Sequence, residues 1–247
     1  MKKFALTLLL SVFPAVAASA QELPRSLATD AGVVLPWGTE TEVARSSLGR
    51  HMSASVALYG RVSFPSDGDV TQDHVTWSDL FDPGLGVSLE GDVLVNVGHE
   101  ASVGGYLSVG WDTFNGVRNV DDFGDTLDPG EMRMVTVIAG AKWLGWFDPL
   151  FFWEGRIGLG MVHTDAVKAD FILSGVLFPD QEFFKASNRA VFELGGRVGY
   201  GTPNVAVDLG MGFRVLGAPG RGKDVTNFVS PDPLVTFMIE LGVLFRF

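Results

Sequence analysis

Val235-Thr236-Phe237-Met238-Ile239-Glu240-Leu241-Gly242-Val243-Leu244-Phe245-Arg246-Phe247 stands at the C-terminal end of the sequence, and its reading decides the fold. Successive side chains of a β-strand point to opposite faces. One face is therefore Val235, Phe237, Ile239, Leu241, Val243, Phe245 and Phe247, apolar without a break. The other holds Thr236, Met238, Glu240, Gly242, Leu244 and Arg246, where a carboxylate and a guanidinium share space with glycine. An apolar face of that length crosses the hydrocarbon core of a bilayer when the strand is tilted. The polar face must then look into an interior, because a membrane strand has lipid on one side only.

The same alternation recurs upstream. From Gly84 to Val97, Leu85, Val87, Leu89, Gly91, Val93, Val95 and Val97 oppose Gly86, Ser88, Glu90, Asp92, Leu94 and Asn96. From Val205 to Leu216, Val205, Val207, Leu209, Met211, Phe213 and Val215 oppose Ala206, Asp208, Gly210, Gly212, Arg214 and Leu216. Five further strands are predicted over Ser53–Phe64, Ala101–Asp112, Met132–Leu144, Leu150–His163 and Asn188–Tyr200. The Met132 segment fits least well, since Met134 and Ile138 fall on its lumen side. The expected fold is all-β: a transmembrane antiparallel up-and-down β-barrel of eight strands, in which every backbone polar group is satisfied by a neighbouring strand. Short connections (98–100, 145–149, 201–204) alternate with long ones (65–83, 113–131, 164–187, 217–233). An even strand count puts the N- and C-termini with the short turns, in the periplasm, and the long loops outside the cell. Phe171-Ile172-Leu173 and Val176-Leu177-Phe178, around Ser174-Gly175, suit a hairpin rising above the membrane.

Lys2 and Lys3, the apolar run Phe4–Val16 and Ala18-Ser19-Ala20 have the layout of a secretory signal peptide over 1–20, followed by a periplasmic extension over 21–52 and the barrel over 53–247. Within the extension, Val33–Trp37 reads as extended, and Thr39 or Thr41 is placed to cap a short helix through Leu48. Hydrophobic residues make up 47% of the chain, yet beyond the signal no run reaches the about 18 apolar residues of a membrane helix. The chain has no cysteine, which excludes disulfides, a lipoprotein anchor and thiolate metal sites. Aromatic residues gather at both expected rims: Trp143, Trp146, Phe147, Phe151, Tyr200, Phe245 and Phe247 toward the short turns, and Phe64, Phe81, Trp111, Phe114 and Phe213 toward the long loops.

A terminal Phe247 preceded by Phe245, Val243 and Leu241 at every second position resembles the signal read by the barrel-assembly machinery. With the eight alternating segments, the chain from Ser53 to Phe247 resembles the small outer-membrane barrels: the outer-membrane protein A transmembrane domain, outer-membrane protein X and the opacity-type adhesins. The resemblance is one of architecture and implies a bacterial outer-membrane location, contact with outer-membrane lipid and lipopolysaccharide, and the assembly machinery as a partner during biogenesis. No peptidoglycan-binding domain follows the last strand, so cell-wall tethering is not implied.

An eight-stranded barrel is just wide enough to be filled by side chains. The lumen-facing positions hold Glu90, Asp92, Asp112, Glu154, Glu193, Asp208 and Glu240 against Arg61, Lys142, Arg156, Arg189, Arg197, Arg214 and Arg246. Charges buried in such balance persist when paired, so Arg–carboxylate networks crossing a largely closed lumen are expected. Gly104, Gly110, Gly158, Gly160, Gly195, Gly199, Gly210 and Gly212 on the same face leave room for them. No helix or βαβ unit follows these glycines, so they are not nucleotide loops, and no cofactor is expected.

Removing Lys2 and Lys3 leaves 16 basic residues against 29 acidic ones, about −13 with His neutral. That balance disfavours nucleic acid, and none is expected as a partner, because phosphate binding needs a basic surface. The acidic residues concentrate in the long loops. Asp67, Asp69 and Asp73, or Asp121, Asp122, Asp125 and Asp128, have the oxygen ligands calcium prefers, though neither set has EF-hand spacing, and a solvated acidic surface is the simpler reading. The leading functional expectation is a structural or interaction protein displaying acidic loops for adhesion, envelope stability or assembly with partners through the loops or the N-terminal extension. A narrow pore for small solutes is the first alternative. A lipid A-modifying enzyme is the second: His74 lies near Asp73, Ser78 and Asp79, and His163 beside Asp165, but neither stretch carries a recognised acyl-transfer motif, and no catalytic residue is assigned.

Overall fold

A computed structural model of the chain describes residues 52–71, 75–97, 100–120, 125–202, 204–224 and 231–247. The expected signal peptide, all of the extension except Met52, and Asp73, His74, Asp121 and Asp122 lie outside the described residues. In chain order the strands are β1 (Met52–Pro65), β2 (Gly84–Asn96), β3 (Ala101–Phe114), β4 (Asn119–Val120), β5 (Thr126–Pro129), β6 (Met132–Trp146), β7 (Phe151–Thr164), β8 (Val167–Leu173), β9 (Val176–Phe184), β10 (Ser187–Gly201), β11 (Val205–Leu216) and β12 (Leu234–Arg246). One short helix, α1 (Trp77–Leu80), lies in the first long connection.

Eight of the strands close into an antiparallel barrel, β1-β12-β11-β10-β7-β6-β3-β2. Their ends differ from those expected from alternation by two residues at most. Closure leaves no free edge, which is the condition for a sheet to sit in lipid. Pairing followed around the wall from Ser55 runs through Asp92, Tyr106, Gly140, Gly158, Glu193, Arg214 and Thr236 and returns to β1 at Pro65, ten residues along. This stagger requires strands tilted by roughly 40° and fixes a narrow bore.

The wall sorts side chains by period two. On β11, Val205, Val207, Leu209, Met211, Phe213 and Val215 are exposed while every residue between them is buried. The other barrel strands add Leu58, Leu85, Val87, Leu159, Met161, Leu194, Val198, Leu241 and Phe245 to this outward belt. So large and continuous an apolar surface is unstable against water and is satisfied by hydrocarbon. The protein is thus a transmembrane β-barrel of the outer-membrane type. Two cross-strand pairs near the short turns match large against small: a Cβ at Gly155 would lie 2.2 Å from the Trp143 ring, and one at Gly145 would lie 2.3 Å from Trp153 Nε1.

The long connections are structured beyond what alternation shows. β8 and β9 form the expected hairpin, turning at Ser174 (φ 51) and Gly175 (φ 78), the paired positive values that a two-residue primed turn demands. β5 pairs with β8, and β4 with β5, making an open four-stranded sheet β4-β5-β8-β9 outside the barrel. In the first connection, the Asp79 carboxylate accepts hydrogen bonds from the Thr76 N–H (2.9 Å) and hydroxyl (2.7 Å), fixing the entry to α1. Trp77 and Leu80 then point inward, fully buried.

Candidate functional site: the lumen

The lumen is built in three layers. Toward the long loops lies an apolar layer in which Val70, Trp77, Leu80 and Phe81 from the first connection meet Phe183 and Phe184 of β9 and the strand-end residues Phe114, Met132, Met134, Ile138, Val162, Val191, Leu216 and Leu234. Trp77 stacks on Phe184 with centroids 5.3 Å apart, and its Nε1–H donates to the Asp232 carbonyl (3.3 Å). Toward the short turns a second apolar layer joins Ala57, Leu94, Leu144, Phe152, Ala206 and Leu244 under the Tyr59 ring, with Trp146 against it. Phe81 and Phe114, expected in the outer aromatic girdle, are inside this plugged bore instead, and Trp146 turns inward to stack on Phe152 (5.5 Å). Each of the three falls on the lumen phase of its segment or in a loop folded over the mouth. Phe64, Trp111 and Phe213 do remain on the outer wall.

Between the layers sit the charges. Lys142 Nζ lies 2.5 Å from Glu90 Oε1, 2.6 Å from Asp92 Oδ2 and 3.2 Å from Glu154 Oε2. Arg197 places Nη1 3.0 Å from both Glu90 and Glu154 and Nη2 3.0 Å from Glu240, with its guanidinium 3.7 Å above the Tyr59 ring. Arg156 spans Glu90 (2.9 Å), Glu193 (3.0 Å) and Glu240 (2.5 Å). Arg61 binds Asp112 through Nε and Nη2 and approaches Glu240 at 3.6 Å, while Arg214 binds Glu193 (2.6 Å) and approaches Asp112 at 3.5 Å. Tyr59 O–H donates to Asp208 (3.1 Å) and accepts from Arg197 (2.8 Å), and Tyr106 O–H donates to Glu193 (3.2 Å). These charges are all buried, and each of Arg61, Lys142, Arg156, Arg197 and Arg214 is compensated by more than one carboxylate, which is what allows a low-dielectric interior to hold them; Asp92 pairs with Lys142, and Asp208 is held by the Tyr59 hydroxyl.

Two of the expected lumen cations stand apart from the lattice. Arg189 donates to the Gly217 carbonyl (2.7 Å) and to the Thr164 hydroxyl near the outer mouth. Arg246 lies over the rings of Trp146 (4.7 Å) and Phe152 (4.5 Å) at the opposite end. The glycines open the space these groups use. A Cβ at Gly110 would lie 2.3 Å from Arg61 Nη2, one at Gly158 2.2 Å from the Tyr106 hydroxyl, and one at Gly210 2.6 Å from Arg197 Cγ. Gly104 and Gly160 answer a different need, since a Cβ there would meet the neighbouring strand's carbonyl oxygen.

The remaining candidates are scattered. Ser78 donates to Asp67 (2.7 Å), Asp125 accepts from the Ser174 N–H (2.7 Å), and Asp128 faces Asp170 across the β5–β8 pair. Among the described residues, Asp67, Asp69, Asp125 and Asp128 form no cluster of three or more metal-ligating side chains. His163 sits on the outer face of the wall, with Nδ1 2.8 Å from Asn188 Oδ1 and Nε2 3.6 Å from Asp165; among the described residues no hydroxyl group hydrogen-bonds to it. At the outer rim the Arg133 guanidinium hydrogen-bonds the Glu131 carboxylate and holds it below the usual carboxylate range. Leu241, Val243, Phe245 and Phe247 stand in a row on the outer face of β12 and its end, and the Phe247 N–H donates to the Ala54 carbonyl (2.8 Å).

No family model matches the chain, and no curated protein matches it. Among solved structures it is similar to the attachment invasion locus protein of Yersinia pestis bound to the heparin analogue sucrose octasulfate, at 14% identity over 80% of this chain and 99% of that one, TM-score 0.42. It is also similar to Neisserial surface protein A (13% identity, 81% and 100% covered, TM-score 0.41) and to the outer membrane enzyme PagL (9% identity, 75% and 97% covered, TM-score 0.41). At these values the likeness carries no functional argument.

Proposed function

We propose that the protein is a closed outer-membrane barrel acting as a structural and interaction protein. Both chain ends lie in the periplasm, and the long connections are displayed at the cell surface. The observation that carries this reading is the filling of the bore: two apolar layers enclose a lattice in which each of Arg61, Lys142, Arg156, Arg197 and Arg214 touches two or more carboxylates. A conducting pore needs water along its axis, and an eight-stranded bore so occupied leaves no room for it. What the chain offers a partner is its surface: a lipid-facing belt, and an acidic set of connections folded into a sheet of their own. The row Leu241, Val243, Phe245 and Phe247 serves as the recognition signal for the assembly machinery. Conductance in planar bilayers tests the reading. The purified protein leaves the membrane silent, and stable open channels of large conductance overturn the closed lumen in favour of a solute pore.

A further inference from the structure

The β8–β9 hairpin rises past Thr164 with β8 supplying about 23 Å of strand, at ~3.3 Å per residue. Its lower part is used by the fold: Val167, Ala169, Phe183 and Phe184 pack into the outer apolar layer, and the 220–222 segment covers the β9 edge there, with Lys185 N–H donating to Gly220 and Gly222 N–H to Phe183. Beyond the β5 pairing at Phe171 and Ile172, the hairpin turns its apolar side chains outward. From Phe171 to Pro179 there is no charged residue, and Leu173, Val176, Leu177 and Phe178 are 37%, 55%, 57% and 43% exposed. Unlike the equally apolar wall, this tip stands above the membrane and has no hydrocarbon to meet. Asp170 and Asp180 flank it, and Asp125 and Asp128 lie beside and in the adjoining strand β5, with Lys168 (3.5 Å from Asp180) the nearby cation on β8.

We propose that this tip is the docking surface for a partner protein presenting an apolar patch rimmed by lysine and arginine; the inference rests on the surface-display reading above and specifies its partner. The charge pattern selects that occupant. A second copy would set one acidic rim against another, and the phosphates of a lipid or lipopolysaccharide surface are repelled in the same way. Docking is by side chains and not by an added strand, because Pro179 has no N–H to offer and Asp180, at φ 55, takes the edge out of line.

The test uses the full mature protein in zwitterionic nanodiscs and two labelled synthetic peptides, one alternating Leu with Lys and one alternating Leu with Glu, with empty nanodiscs as the blank. The Leu/Lys peptide binds, and the Leu/Glu peptide does not. Leu177→Ser with Phe178→Ser weakens that binding about tenfold or more through lost apolar area, and Asp170→Asn with Asp180→Asn does so through lost attraction, an effect that 0.5 M salt reproduces. Both variants keep the strand circular dichroism of the parent, as their sites are exposed. Equal binding of the two peptides, or binding indifferent to both variants, overturns the proposal. So does binding of the parent, but not of the Leu177/Phe178 variant, to phosphatidylcholine vesicles, or self-association of the nanodiscs through the tip. A silent bilayer alongside any of these results leaves the closed-lumen reading standing, whereas open channels remove that reading whatever the peptides do.

Discussion

The molecule carries two β-sheets that treat apolar side chains in opposite ways. In the barrel, Val205 to Val215 on β11 put six large apolar residues outward while Asp208 and Arg214 point in, and the closed order leaves no strand unpaired. In the β4-β5-β8-β9 sheet, which does not close on itself, exposed apolar residues crowd one end, and the buried ones serve the barrel's mouth. The difference teaches that exposure has no meaning apart from the solvent. The same leucine is stabilising where it meets lipid and is a recognition element where it meets water.

The comparison breaks most sharply in the bore. Arg197→Ala removes the cation that reaches Glu90, Glu154 and Glu240 together, leaving Lys142 and Arg156 to balance them in pairs, and lowers stability by about 3–5 kcal/mol, measured by urea unfolding in lipid vesicles. Arg197→Met restores none of the attraction, so it tracks Arg197→Ala; a near-normal Arg197→Met would show that packing and not charge holds the site. Next in size is the wall. Leu209→Lys, on the lipid face of β11, costs about 2–4 kcal/mol in the same assay if it sits near the bilayer midplane. A smaller effect is expected at the turn: Ser174→Asn suits a positive φ better than serine does and raises the hairpin's protection in hydrogen exchange by a few tenths of a kcal/mol. Smallest is Leu177→Lys at the exposed tip, within about 0.5 kcal/mol of the parent. A Leu177→Lys loss matching that of Leu209→Lys would mean that the two sheets do not differ as described.

The barrel was legible because its two environments repeat every second residue, and nothing else in the chain has that period. Met134 and Ile138 spoiled the alternation of their segment for a physical reason: the bore there is apolar, so both faces of β6 are hydrophobic at its outer end. The charged lattice was legible as a list of residues but not as a set of partners. Glu90 and Arg197 lie 107 positions apart, and only the stagger of the strands decides that they meet. The apolar plug was hidden more thoroughly. Trp77, Leu80 and Phe81 lie in a stretch dense with aspartate that reads as solvated loop, and Phe183 and Phe184 are adjacent, so neither period marks them as core. The joining of β5 to β8 is likewise a contact between two separate loops, for which a local pattern has no symbol.

The matching of Trp143 to Gly155 and of Trp153 to Gly145 bears on how the wall is put together. A hairpin entering a bilayer can slide by two residues and keep nearly all its hydrogen bonds and its inside-outside sense, so backbone pairing alone does not choose the alignment. Sliding β6 against β7 one way brings the two indoles face to face, and sliding it the other way sets glycine against glycine and leaves both rings without a seat. The bulky-on-bare arrangement therefore acts as a ratchet tooth, giving the nascent hairpin one notch in which it can rest.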